Sequence, residues 1–264
     1  MNYTEVFGTP QQRALVRRSE DLWRLVRGNP RLAYYGNAVS LSDPAEDTAE
    51  VIARLARIQG LGMCFYCPKS SATEMLAGLE AQGFRTAQSQ YHRGAEGAYD
   101  ASKGLLARRD VPQDLSVIRL DVATPKETVA ATAELCVSCG VTPMPGEIMR
   151  GTVLKGATLV ALDAQKAPVA TASSFAMHAP DSPRATDAFW GVLATREDRR
   201  GQGLAALLGA MAIVHMWENE GMRGFNTGIK AENLASQAAC SKLGVVNTDM
   251  VTAFCFDDGR MAEI

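Results

Sequence analysis

The segment TREDRRGQGLAALL, Thr195 to Leu208, restricts the fold most, because it must carry a β-like run, Thr186 to Thr195, into an apolar helical run, Gly203 to Glu220, within a few residues. Gly201 and Gly203 let the backbone turn tightly with several amide N–H groups pointing inward, and the helix adds its unpaired N-terminal amides and the positive end of its dipole. Arg196, Arg199 and Arg200 stand on the approach, and the first helical turn, Leu204 to Leu207, has no carboxylate to repel an anion. A phosphate fits such a loop. The competing reading is a glycine-rich turn beside a solvated charge cluster, with Glu197 and Asp198 pairing with the arginines. The P-loop pattern is absent, and the dinucleotide pattern G-x-G-x-x-G would need glycine at Ala206.

Around this loop the pattern alternates between periods near 2 and 3.6. In the first half it predicts a helix opened by Thr9 and Pro10, a strand over Leu32 to Ser40, a helix over Pro44 to Ile58 and a strand over Gly62 to Cys67. A helix over Ser71 to Gln82 and a strand over Phe84 to His92 follow. The polar stretch Arg93 to Gln113 has little periodicity and reads as a linker, which divides the chain into 1–113 and 114–264. The second half reads β-α-β-β-β-α-β-α-β, with a hairpin at Ala157 to Met177 and a short helix around Glu147 to Val153. The expected class is mixed α/β of the α+β style, a central mixed sheet flanked by helices.

Composition limits the function. With 264 residues, 47% of them hydrophobic, there is ample chain for a core in one large or two modest domains. The 27 basic and 29 acidic side chains give a net charge of -2, without the broad positive field of a nucleic-acid or anionic-membrane binder, so an anion site must be local. The opening MNYTEVFGTPQQRALVRRSE lacks an apolar signal core, and the most apolar run, Gly203 to Trp217, carries His215. The expectation is a reduced, cytoplasmic protein. Two C-x-x-C pairs, Cys64 with Cys67 and Cys136 with Cys139, invite a zinc reading. However, three residues apart on a strand the first pair should face opposite ways, and the second pair ends a helical pattern, so no metal is expected.

The stretch from Arg200 to Ala205 meets the pattern [Q/R]-x-x-G-x-[G/A], and it resembles motif A of the GNAT superfamily of acyl-coenzyme A N-acetyltransferases. VLATREDRR is similar to the strand and turn before that motif. AENLASQAACSKLGV is similar to the family's later helix, with Asn233 at its start and Lys242, Leu243 and Gly244 at its end. The resemblance covers roughly residues 116 to 258 and implies acetyl-coenzyme A as cosubstrate and a small-molecule amine as acceptor, attacked directly in a ternary complex. It implies backbone contacts to the pantetheine arm at Leu193 and Thr195, pyrophosphate on the amides of Gly201, Gln202, Gly203, Leu204 and Ala205 with help from Arg200, and oxyanion stabilisation by the backbone N–H near Leu193.

The chain departs from the family at the proton-transfer positions. Cys240 stands where many members place a tyrosine acid, and is read either as that acid or as a packed thiol. Phe189 stands where some members place a glutamate base; Asp187, on the same strand face, is the candidate substitute. His178, His215 and Glu147 are further candidates, Glu147 as a ligand of the substrate amine. These departures motivate an alternative reading, an acyl-coenzyme A binding or sensing protein without turnover.

The first half resembles the second half of the same fold: YYG at Tyr34 to Gly36 parallels FWG at Phe189 to Gly191, and LEAQGF parallels CSKLGV. The expectation is a tandem with a degenerate first copy. In its loop, SLSDPAEDT, the carboxylates Asp43, Glu46 and Asp47 would repel pyrophosphate.

Overall fold

The computed structural model describes residues 3–262. In the first half, helix α1 (Pro10–Val26) is opened by a reciprocal cap in which Gln12 N donates to Thr9 Oγ1 and Thr9 N to Gln12 Oε1. There follow β1 (Leu32–Tyr34), β2 (Val39–Leu41), α2 (Thr48–Gln59), β3 (Leu61–Pro68), α3 (Lys69–Glu80), β4 (Arg85–Gly94) and α4 (Glu96–Leu106). In the second half come β5 (Ser116–Arg119), α5 (Lys126–Ser138), α6 (Gly146–Met149), β6 (Gly156–Leu162), β7 (Pro168–Ala176) and β8 (Asp187–Thr195). The chain ends with α7 (Leu204–Asn219), β9 (Gly224–Ile229), α8 (Leu234–Lys242), β10 (Val246–Phe256) and α9 (Asp258–Ala262).

Among the described residues the ten strands form one mixed sheet in the order β1-β2-β3-β10-β4-β9-β8-β7-β6-β5. Each half contributes a parallel pair, β2 with β3 and β8 with β9, and then gives its last strand to the other half. Strand β10 lies antiparallel to β3, β4 lies antiparallel to β9, and β4 and β10 pair with each other at the centre. The halves are thus related by an approximate two-fold between β4 and β10, and the division at 113 separates two stretches of sequence that share one sheet. The sequence parallel at the helix ends reappears here, since Gly83 and Gly244 both take left-handed φ, +88° and +67°, where α3 and α8 give way to β4 and β10.

Two expectations are corrected. Leu32 to Ser40 is not one strand but a tight hairpin, β1 to β2, turning at Gly36 with φ +87°. The dipeptide Gly36-Asn37 was the turn signal, and its consequence is that YYG ends β1 while FWG lies inside β8. The stretch read as a linker contains α4, whose two glycines and small side chains hide its periodicity. This helix packs on α7: Tyr99 stacks on Trp217 at 4.9 Å and donates to Glu218 at 2.8 Å, with Lys103 also on Glu218 at 3.2 Å.

The sheet separates two cores. Phe175 and Phe189 face a core shared with α1, α2 and α5, while Ala188 and Trp190 face one shared with α4, α7 and α8. Helix α7 is apolar nearly all round because it lies between the sheet and α4. Its Gly209 is explained by Trp190, whose ring lies where a Cβ would stand and whose indole N–H donates to the Gly209 carbonyl at 3.0 Å.

Candidate acyl-coenzyme A site

Strand β8 pairs with β9 only from Asp187 to Phe189; past that point the two diverge. On its other side, Val192 and Leu193 stand opposite the single residue Ala172 of β7, a bulge at which Val192 takes φ +52°. The bulge shifts the alternation by one. Phe189 before it and Val192 and Ala194 after it all face the first core, which turns Leu193 and Thr195 towards the opposite side. A bulge also leaves the extra residue outside the ladder, so backbone groups here are freed for a ligand.

The strand leads through a single 3-10 turn, Glu197–Arg199, into the glycine loop. Gly201 and Gly203 have φ +76° and +67°, conformations that side-chain-bearing residues avoid, and Gly203 caps α7. Helix α8 closes the far side, its Asn233 side chain accepting from Ser236 N at 3.1 Å as a cap. Together they surround a cavity of about 490 Å³. Leu193, Thr195, Arg200 and Gly201 line it, and so do Gly203, Leu204, Ala205 and Asn233. Gln202 sits at the loop tip beside it, its carbonyl accepting from Arg109.

Two features were not foreseen. Cys139 lines the same cavity and donates to the Thr195 carbonyl at 3.4 Å; its place in a C-x-x-C pair drew attention to metal binding instead. The loop arginines are also less available than their number suggests. Arg196 is held by Asp198 at 2.7 Å and Asp163 at 3.0 Å, and Arg199 by Asp114 at 2.7 Å. Arg200 is bonded to the Thr195 carbonyl at 3.4 Å, which leaves its charge uncompensated by that contact.

The proposed proton-transfer residues lie elsewhere. Cys240 is 1% exposed, packs in the core with Leu243 and Val245, and does not line the cavity; burial pushes its thiol up to about 12. Cys240→Ala is therefore expected to cost about 1 kcal/mol of stability and to leave acetyl-coenzyme A affinity unchanged within twofold by calorimetry. Asp187 is buried at the start of β8, with both oxygens taken by Arg93, at 2.8 and 3.1 Å, and one also by the Tyr66 hydroxyl at 2.6 Å. Burial raises its carboxyl, but these hydrogen bonds outweigh it and hold the carboxyl below its ordinary value.

Phe189 packs edge-on to Tyr35 at 4.7 Å and beside Phe175 at 5.1 Å, and its ring covers Gly191. His178 is buried with Nδ1 on the Ser42 hydroxyl at 2.8 Å, and burial pushes it down to about 4, which keeps it neutral. The polar turn MHAPDSPR that carries His178 reads as surface in the sequence, but it packs against the β1–β2 hairpin, where Ala33 and His178 form a bridge. His215 lies beside Asn219 and Glu220 on α7. Glu147 accepts from the Thr4 backbone and hydroxyl at 2.6 and 2.9 Å, so it is engaged by the N-terminal segment.

In the first half's equivalent loop Asp43 pairs with Arg184 of the second half at 2.7 Å and Asp47 with Arg31, while the acidic Glu46 and Glu74 line the opening there. Cys64 and Cys67 do not face opposite ways as expected. A bulge at Tyr66, φ +50°, makes three residues act as two and brings the two side chains to the same side of the strand, where the Cys64 thiol donates to the Phe65 carbonyl at 3.2 Å. Among the described residues no three His, Cys, Asp or Glu side chains gather as metal ligands, and no helix is long and apolar enough to cross a membrane.

No family model and no curated protein matches the chain. Solved structures do. A GCN5-related N-acetyltransferase from Kribbella flavida is 17% identical with a TM-score of 0.55, over 92% of this chain and 95% of that one. A tandem GNAT protein from the clavulanic acid biosynthesis pathway, solved without AcCoA, is 14% identical with a TM-score of 0.53, over 82% and 74%. A Drosophila protein is 14% identical with a TM-score of 0.55, over 83% and 70%. At these identities the likeness is one of fold, and it gives the conclusion that the chain has a GNAT-like fold, its mixed sheet built from two halves that exchange their last strands.

Proposed function

We propose that this protein is an acyltransferase that moves an acetyl group from acetyl-coenzyme A to a small amine by direct attack in a ternary complex. The observation that supports it is the continuity of one cavity, from the bulge where β8 leaves β9 to the glycine loop at the start of α7. The chain fits the cosubstrate: amides of Gly201 to Ala205 meet pyrophosphate, Arg200 adds charge, and backbone groups of Leu193 and Thr195 meet the pantetheine arm. The cosubstrate supplies an activated thioester whose thiolate is a good leaving group. The Leu193 N–H donates to the thioester oxygen as negative charge develops there, and the main contribution of the protein is to hold the two reactants in position. The second copy alone binds the cosubstrate, because the matching loop of the first carries Asp43, Glu46 and Asp47, whose carboxylates repel pyrophosphate. All six cysteines are free, in keeping with the reducing cytoplasm proposed for it.

The burial of Cys240 and the engagement of both Asp187 oxygens favour one alternative, an acyl-coenzyme A binding protein without turnover. Calorimetric titration with acetyl-coenzyme A, followed by a thiol-release assay across a panel of small amines, separates the two. Binding with turnover of at least one amine supports the transferase, binding without turnover of any supports the sensor, and absence of binding sinks both.

A further inference from the structure

We infer that Arg109, from the segment joining the two halves, is a direct ligand for a phosphate group of the acyl-coenzyme A. This rests on the acyl-coenzyme A reading above and adds to it a residue outside the loop motif.

The positive charges around the glycine loop are unevenly matched. Arg196 and Arg199 are matched by Asp163, Asp198 and Asp114, so their positive charge is largely cancelled where it stands. Arg109 is different. It lies 93 positions before Gln202, yet its guanidinium donates to the Gln202 carbonyl and fills the space where a Cβ on Gly203 would stand. A carbonyl oxygen orients a guanidinium without neutralising it, and a guanidinium has five N–H donors in a planar fork, so charge and donors remain for an anion.

The placement is held from both ends of the segment. Helix α4, just before it, is fixed on α7 through Tyr99 and Trp217, and Asp114, just after it, is fixed to Arg199 at the loop itself. The segment 107–114 thus lies across the loop as a strap, with Arg109 at the loop tip. Arg108, exposed as Arg109 is, lies beside Gly104 and away from the loop tip. Gly203 suits this place for its left-handed backbone, and the absence of a side chain there leaves room for the Arg109 guanidinium.

A coenzyme A offers phosphate in two places, the pyrophosphate and the ribose 3′-phosphate. Both are recognised by the same charge-assisted, forked hydrogen bonds. The experiment measures dissociation constants by calorimetry at low ionic strength for wild type, Arg109→Ala, Arg109→Gln and Arg108→Ala, with acetyl-coenzyme A and with its 3′-dephospho form. Arg109→Ala and Arg109→Gln should each bind acetyl-coenzyme A about tenfold more weakly, and Arg108→Ala should stay within twofold. If the defect disappears with the dephospho ligand, Arg109 holds the 3′-phosphate; if it persists, Arg109 holds the pyrophosphate.

Glutamine keeps a donor for the Gln202 carbonyl but carries no charge. Wild-type affinity in Arg109→Gln would therefore show that the residue only braces the loop, and would overturn the inference. Wild-type affinity in Arg109→Ala would overturn it as well. Either result beside a strong defect in Arg200→Glu would leave the acyl-coenzyme A reading standing. A wild-type protein that binds no acetyl-coenzyme A would remove that reading and the inference together.

Discussion

Gly203→Val should bind acetyl-coenzyme A at least tenfold more weakly than wild type, a loss of about 1.4 kcal/mol or more, while the fold survives. Two independent effects act at this position. Gly203 has φ +67°, and a β-branched residue is strained there. Its new Cβ would also enter the space of the Arg109 guanidinium and push that exposed side chain off the Gln202 carbonyl. Relief of the backbone strain turns the first amides of α7 away from the point on which they converge, and displacement of Arg109 removes a neighbouring positive charge. The position lies on the surface side of the helix start, so the damage should stay local. Arg200→Glu tests the same site by charge instead of shape and should weaken binding to a similar extent. Asp43→Ala, in the equivalent loop of the first half, should leave affinity unchanged, because that carboxylate is bound to Arg184. Unchanged affinity in both loop variants, measured by calorimetry on proteins with wild-type circular dichroism, would show that this loop is not the phosphate site.

The loop was legible in the sequence because its requirements are local: two glycines at left-handed positions, an apolar strand before them and an apolar helix after. The same holds for α3 and α8, each announced by a glycine at its end. What escaped was non-local. Helix α4 carries Gly97, Ala98, Ala101 and Gly104, residues with little periodic signal, and it exists as a helix because α7 offers it a face. The exchange of β4 and β10 between the halves leaves no mark in either strand's own pattern, since a strand paired on both sides reads the same whoever its partners are. Side-chain roles were hardest. Cys240 and Asp187 were candidates by position along the chain. Their burial, and the claims of Arg93 and Tyr66 on Asp187, depend on residues about a hundred positions away.

Asp187 is therefore expected to act on stability. Asp187→Asn should lower unfolding free energy by about 2–3 kcal/mol at neutral pH, near the lower end for breaking a buried pair because about a third of the Arg93 side chain remains exposed. The variant leaves the Arg93 guanidinium and the Tyr66 hydroxyl facing a neutral amide with one acceptor oxygen instead of a carboxylate with two. The pH dependence separates this from other groups. The folded carboxyl is held below its ordinary value of 3.8, so its contribution is in place above that value and is lost as pH falls through the lower folded one. His178 acts in a different window. Burial takes it from 6.5 to about 4, so the unfolded chain binds the proton first and stability declines as pH falls between those values, by an amount on the order of 3 kcal/mol. Wild type should thus lose stability in two stages on acidification. Asp187→Asn should keep the first and lack the second, with the first still opening near 6.5 but reaching to lower pH, because the Asp187 charge itself favours protonated His178. Urea unfolding between pH 3 and 8 reads both stages. If Asp187→Asn left stability untouched while abolishing turnover of an accepted amine, Asp187 would be the catalytic base and its ion pair incidental; a stability loss with turnover retained in the folded fraction places it in the frame of the site.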